Sequence, residues 1–239
     1  MNKKYYALEQ IDKKAEIYIF GSISTMPWRD KDRDAYGIVK EIQALDVDEI
    51  HVYINSTGGS VSEGLAIYNV LKNQKAKIHT YDCGFACSAA SVVFMAGEER
   101  VMFDSSLLMI HNAWTYASGN AATFRKQADD LDTITQASVK AYMEKVSISE
   151  EEVKRMMDNE TWISAEQAKE YGFATRIYEE KEEGTNQSAM QSIHDVILQK
   201  GSTEKITAQE IAQEVVKLIK TEKKEEINNS SWANFFGGK

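Results

Sequence analysis

Ser88, in the run CGFACSAASVVFMAG, is flanked by small residues and stands where a strand-like segment gives way to an apolar helix. A hydroxyl there lies beside amides without helical partners and near the positive end of the helix dipole, which favours an oxyanion forming on an attacked carbonyl. Taken alone, Ser88 could equally do no more than cap that helix. His111 closes the strand-like LLMIH and precedes the turn-like NAWTYASGN. It therefore emerges at the rim of a sheet, a suitable place for a general base, although a single histidine there could be an ordinary surface residue. INSTGGS, residues 54–60, sets two glycines between a strand and a helix. Glycines so placed let backbone N–H groups face a ligand, as in a phosphate cradle or an oxyanion hole; a tight turn is the plain alternative. The run lacks the lysine and spacing of a Walker loop and is not GxGxxG, and Ser88 is not in a GxSxG elbow.

These residues need elements to hold them. The short apolar runs 15–20 (AEIYIF) and 49–55 (EIHVYIN) predict strands, with a helix over 32–45 between them. The alternation continues with helix 62–73, strand 77–82, helix 88–96, strands 100–103 and 107–111, and helices 121–145, 150–157 and 165–171. Repeated βαβ units of this kind predict an α/β fold with a mainly parallel sheet flanked by helices. In the long helix Phe124, Ala128, Leu131 and Ile134 recur at helical spacing and could pack on the body or on another subunit.

Residues 1–14 are expected to be a short amino-terminal extension, 15–178 a compact domain, and 179–239 a charged linker with a partly helical extension. Within that extension Thr207 and Glu210 form a capping box, and Ile206 and Ile211 a hydrophobic staple. Ile211, Val215 and Leu218 share one helix face, and Trp232, Phe235 and Phe236 suggest a docking motif.

Composition narrows the function. A net charge of −9, from 37 acidic and 28 basic residues, disfavours a sequence-independent grip on nucleic acid. No stretch is long and apolar enough to span a bilayer, and no signal segment opens the chain, so a cytoplasmic location is expected, in the host if the gene is phage-borne. Cys83 and Cys87 suit free thiols in a reducing compartment. His51 and His79 fall in strands with no partner at ligand spacing, so no metal site is expected.

Four segments in order carry a family resemblance over roughly residues 15–178. HVYINSTGG resembles the INSPGG element of ClpP-type serine peptidases, with Thr57 where proline is usual. GFACSAA resembles their GxAASM, with Cys87 for the second alanine and Ala89 for methionine; FDSSLLMIHNA resembles PNSRxMIHQP, and WISAEQAKEYGF resembles FLSAxEAxEYGL. The resemblance implies a ClpP/crotonase-like fold, Ser88 as nucleophile, His111 as base, and an oxyanion hole from the amides of Gly59 and Ala89. Laid on DRDxFLSA, DNETWISA puts Glu160 at the triad carboxylate, with Asp158 as the alternative.

It also implies a homo-oligomer of heptameric rings that can stack in pairs, acting on protein or peptide substrates without a cofactor. The short segment before the first strand puts docking of an unfoldase ATPase in doubt. Together with ETWxSAEQA and the charged tail, it resembles the ClpP-related head maturation proteases of phages and prophages, which implies capsid or scaffold substrates. A crotonase-fold acyl-CoA enzyme and a catalytically silent assembly subunit are the competing expectations.

Overall fold

The computed structural model describes residues 6–24 and 35–178. The linker, the tail helix and the aromatic residues Trp232, Phe235 and Phe236 lie outside the described residues. The chain runs β1 (Tyr6–Ile11), β2 (Lys14–Ile23), α1 (Ala35–Gln43), β3 (Glu49–Gly59), α2 (Val61–Lys72), β4 (Lys77–Cys87) and α3 (Ala89–Phe94). It continues through β5 (Glu99–Phe103), β6 (Leu107–Ile110), α4 (Ala121–Met143), α5 (Glu150–Asp158), β7 (Thr161–Ser164), α6 (Ala165–Tyr171) and β8 (Arg176–Tyr178). The sheet order is β1-β2-β3-β4-β5-β8. Among the described residues only β1 against β2 and β7 against β6 are antiparallel. This is the mainly parallel α/β architecture that the alternating segments predict.

Strand alternation explains the core. In β3, Ile50, Val52 and Ile54 are fully buried on one face, where they join Ile17, Ile19 and the helices. The intervening residues line the other face, where Tyr53 stacks on Tyr18 at 5.0 Å and on Tyr81 at 4.7 Å. β4 changes partner along its length: His79–Asp82 pair with β5, whereas Phe85–Cys87 pair with β6. Gly84 sits at the fork, where a Cβ would lie 2.9 Å from the Asn55 side-chain oxygen. The fork carries the end of β4 away from β5 and delivers Ser88 beside β6.

Three expectations need correction, and one left open is narrowed. Residues 6–11, assigned to the extension, form β1; Asp12 adopts φ 53°, and the tight turn it makes folds that segment back on β2. Residues 161–164 and 176–178 form β7 and β8, strands too short for periodicity to reveal. The apolar stripe of α4 does not pack on the body of this chain, since Phe124 is 51% and Ile134 40% exposed. His51 and His79, taken as isolated, face each other, because β3 and β4 pair in register through them.

Two polar groups anchor the far end of α3, away from Ser88. Arg100, buried, donates from Nε to Phe173 O at 2.7 Å and from Nη1 to Gly97 O at 2.9 Å. Thr80 Oγ1 donates to Phe94 O at 2.8 Å and ties the last turn of α3 to β4. Among the described residues no helix is long and apolar enough to cross a membrane.

Candidate active site

β4 ends at Cys87 and α3 begins at Ala89, so the whole reversal falls on Ser88, whose φ of 54° and ψ of −125° lie in a region that side-chain-bearing residues rarely occupy. Such strain costs about 1–3 kcal/mol and persists only where neighbours hold it. The neighbours are evident. Ser88 N–H donates to Met109 O at 2.8 Å, and Ser91 Oγ donates to Ser88 O at 2.6 Å. Ser91 in turn accepts from the Tyr142 hydroxyl at 2.8 Å. Tyr142 is fully enclosed, and burial pushes its pKa up, so the hydroxyl keeps its proton and remains a donor. Sequence reasoning missed Ser91 and Tyr142; helical spacing puts Tyr142 on the core face of α4, but nothing in the pattern says what its hydroxyl meets.

The Ser88 hydroxyl points to His111, with Nε2 and Oγ 2.7 Å apart. His111 follows the last residue of β6, so the strand fixes its backbone and leaves the ring at the rim. For Nε2 to accept the serine proton, Nδ1 must carry the other proton. Among the described residues, no carboxylate hydrogen-bonds His111 Nδ1. Asp158 instead accepts from Asn112 Nδ2 at 2.8 Å. Glu160 is exposed, holds φ 46°, and lies immediately before β7. The last pair of the β6–β7 ladder is Ile110 with Thr161. Glu160 immediately precedes Thr161 and His111 immediately follows Ile110, so the two residues flank that last pair.

The glycines of β3 pack against the reversal. A Cβ on Gly58, at φ 88°, would lie 2.5 Å from Cys87 O, 2.7 Å from Ser88 Cβ and 3.0 Å from Ala89 N. One on Gly59, at φ 145°, would collide with Ile23 O of β2. Only glycine fits this approach. Ala89 opens α3, where an N–H has no intrahelical partner. Gly59 and Ala89, the expected oxyanion pair, thus border one cleft of about 330 Å³ with Ser88, His111, Met109 and Trp114. Burial pushes the neighbouring Cys87 thiol up to about 11, which leaves it protonated and unsuited to be the nucleophile in place of Ser88. Along a strand, Cys83 and Cys87 stand about 13 Å apart, too far to bridge, and both are free.

Residues 5–181 match the Clp protease family. The chain belongs to the Clp protease family. It is 35% identical over 133 residues to ATP-dependent Clp protease proteolytic subunit 1 of Streptomyces avermitilis, an alignment covering 55% of this chain and 61% of that protein. It is 32% identical over 155 residues to the ATP-dependent Clp protease proteolytic subunit of Deinococcus radiodurans, covering 62% and 76%. Identity to the corresponding subunit of Chlorella vulgaris is 30% over 153 residues, covering 63% and 76%. The chain therefore aligns with less than two thirds of the Streptomyces relative and about three quarters of the other two. The family match ends at residue 181, and the sequence continues to 239.

Proposed function

We propose that this Clp protease family member is a serine endopeptidase in which Ser88 is the nucleophile and His111 the general base. The observation that carries the reading is the 2.7 Å contact between His111 Nε2 and a serine Oγ held on a strained reversal. His111 takes the Ser88 proton as Oγ attacks the scissile carbonyl, and the negative oxygen is met by the amides of Gly59 and Ala89. The tetrahedral adduct collapses, His111 returns the proton to the leaving amine, and the peptide remains as an ester on Ser88. Water, deprotonated by the same imidazole, then releases the acid.

Glu160 orients His111 through Nδ1 and balances the imidazolium. The ladder position of Glu160 supports this role, as does the engagement of Asp158 with Asn112. No metal or organic cofactor enters these steps. The crotonase reading leaves the Ser88–His111 contact without a role and is disfavoured by that geometry.

The active particle is a homo-oligomeric ring, heptameric and able to stack in pairs, in which exposed apolar residues of α4 meet a neighbouring subunit. Its substrates are proteins or peptides; capsid or scaffold proteins follow from the ETWxSAEQA segment and the charged residues beyond the family match. Likeness to proteolytic subunits of ATP-dependent Clp proteases supports a second reading, a proteolytic subunit fed by an ATPase. A fluorophosphonate probe tests the common core of both. Labelling confined to Ser88 and lost in His111→Ala would support it, whereas labelling elsewhere, or saturable coenzyme A binding in the cleft, would sink it.

A further inference from the structure

The sheet face opposite the apolar core carries a cluster with no part in the peptidase chemistry. His51 of β3 stands across from His79 of β4, with parallel rings whose centroids are 4.6 Å apart. Each ring is held through Nδ1: His79 Nδ1 meets a Glu99 carboxylate oxygen at 2.8 Å, and His51 Nδ1 meets the Tyr81 hydroxyl at 2.9 Å. Both Nε2 atoms are thereby left for something else. His51 Nε2 is 3.3 Å from Glu49 Oε2. His79 Nε2 is buried and has no hydrogen-bond partner among the described residues, and the side chain as a whole is only 8% exposed.

A buried polar atom without a partner costs free energy and calls for an explanation. An imidazole fixed by a carboxylate on Nδ1, with the Nε2 lone pair free, is the arrangement that supports a metal-bound histidine. Glu99 accepts only, so the neutral His79 ring carries its proton on Nδ1 and presents an unshared pair at Nε2.

We infer that Glu49, His51 and His79 form a site for one divalent transition-metal ion of the zinc class, clasping β3 to β4. Two imidazoles and a carboxylate are a zinc ligand set with a fourth position for water. One ligand atom from each residue lies within 4.8 Å of the others. Bonds of about 2.0–2.2 Å need ligands roughly 3.4 Å apart, so the side chains must close by about an ångström and the stacked rings, only 6° from parallel, must tilt until both Nε2 lone pairs converge. Glu49, part-exposed at the start of β3, has the freedom to supply most of that. On binding, the His51 proton shifts from Nε2 to Nδ1, where Tyr81 accepts it. The nearby charges are mixed: Lys14 Nζ sits 3.1 Å from Glu49 Oε2 and competes with the ion, while Arg176 Nε holds the other Glu99 oxygen at 2.6 Å.

The test uses the full chain, stripped with a chelator and titrated with Co²⁺ and then Zn²⁺. His111→Asn serves as the background so that the peptidase histidine cannot contribute. One Co²⁺ per chain is expected, with the visible absorption of a four-coordinate nitrogen and oxygen site. A Tm rise of about 5 °C or more is expected at a hundredfold excess over Kd. His79→Asn, which keeps a donor toward Glu99 but removes Nε2, should abolish both signals. Glu49→Gln, at the part-exposed strand start where the side chain supports no core packing, should weaken binding tenfold or more, and Lys14→Ala should strengthen it. No binding at micromolar metal, or binding unchanged in both His79→Asn and Glu49→Gln, would overturn the site.

Discussion

Helices α3 and α4 treat their side chains in opposite ways. All six residues of α3 are buried, whereas of the 23 residues of α4 only Ser138, Val139, Ala141 and Tyr142, in its last turns, are buried. The short helix could not stand alone, and isolated helices of its length do not persist in water. It exists because packing encloses it, and the same packing holds Ser88 in a backbone geometry it would otherwise leave. The long helix is capped by Asn120, whose side chain accepts from Thr123 N–H, and projects an apolar stripe that this chain leaves uncovered. On the proposed reading, the chemistry goes with the helix that burial defines, and association with the helix that burial leaves free.

The largest effect should fall on the proposed chemistry at Ser88. Glu160→Gln should lower kcat/KM on the order of 10³-fold, because a neutral amide cannot balance the imidazolium, while Asp158→Asn should cost only a few-fold. Steady-state hydrolysis of a short peptide by the two variants checks this; the reverse ranking would move the carboxylate to Asp158. On the exposed side, Phe124→Glu with Ile134→Glu should dissociate the ring without unfolding the subunit, since both side chains face solvent in the single chain. Light scattering that showed an intact assembly would place the subunit contact elsewhere.

Burial also leaves a mark on β4, the strand that leads into Ser88. The Asp82 carboxyl is enclosed, with Oδ2 lacking a hydrogen-bond partner among the described residues, and burial pushes it up to about 7. A raised folded pKa means that stability is fully present below the unfolded value near 4 and is lost as pH rises through about 7. The loss is on the order of 4 kcal/mol at most, at 1.36 kcal/mol per unit. Asp82→Asn mimics the protonated acid, so its Tm should gain several degrees on the wild type between pH 5 and pH 8. Parallel melting curves would refute this. A smaller change should follow Tyr142→Phe, which removes one buried hydrogen bond to Ser91. About 1 kcal/mol of stability should go, with a modest fall in kcat from a loosened Ser88 reversal.

Much of this was legible in the residues. Ser88 and His111 stand at a strand-to-helix step and a strand end, features that a local reading detects, and the order of the flanking segments joins them. The parallel core follows from alternating runs such as EIHVYIN. What escaped depends on contacts distant in sequence. The pairing of His51 with His79 is set by strand register, which no single segment encodes, and the Tyr142–Ser91–Ser88 chain needs α4 laid over α3. β1, β7 and β8 are three to six residues long, too short for a period to stand out. The positive φ of Glu160 and Ser88 carries no sequence signal, since neither is a glycine.

The central claim is that peptide bonds are cut through an ester on Ser88. Mass spectrometry of the full chain, acid-quenched during turnover of a slowly hydrolysed peptide ester, tests it directly. The account predicts a stoichiometric acyl adduct on the tryptic peptide containing Ser88, absent from Ser88→Ala and slow to form in His111→Ala. Turnover by Ser88→Ala at near the wild-type rate, or an adduct on any other residue, would contradict it.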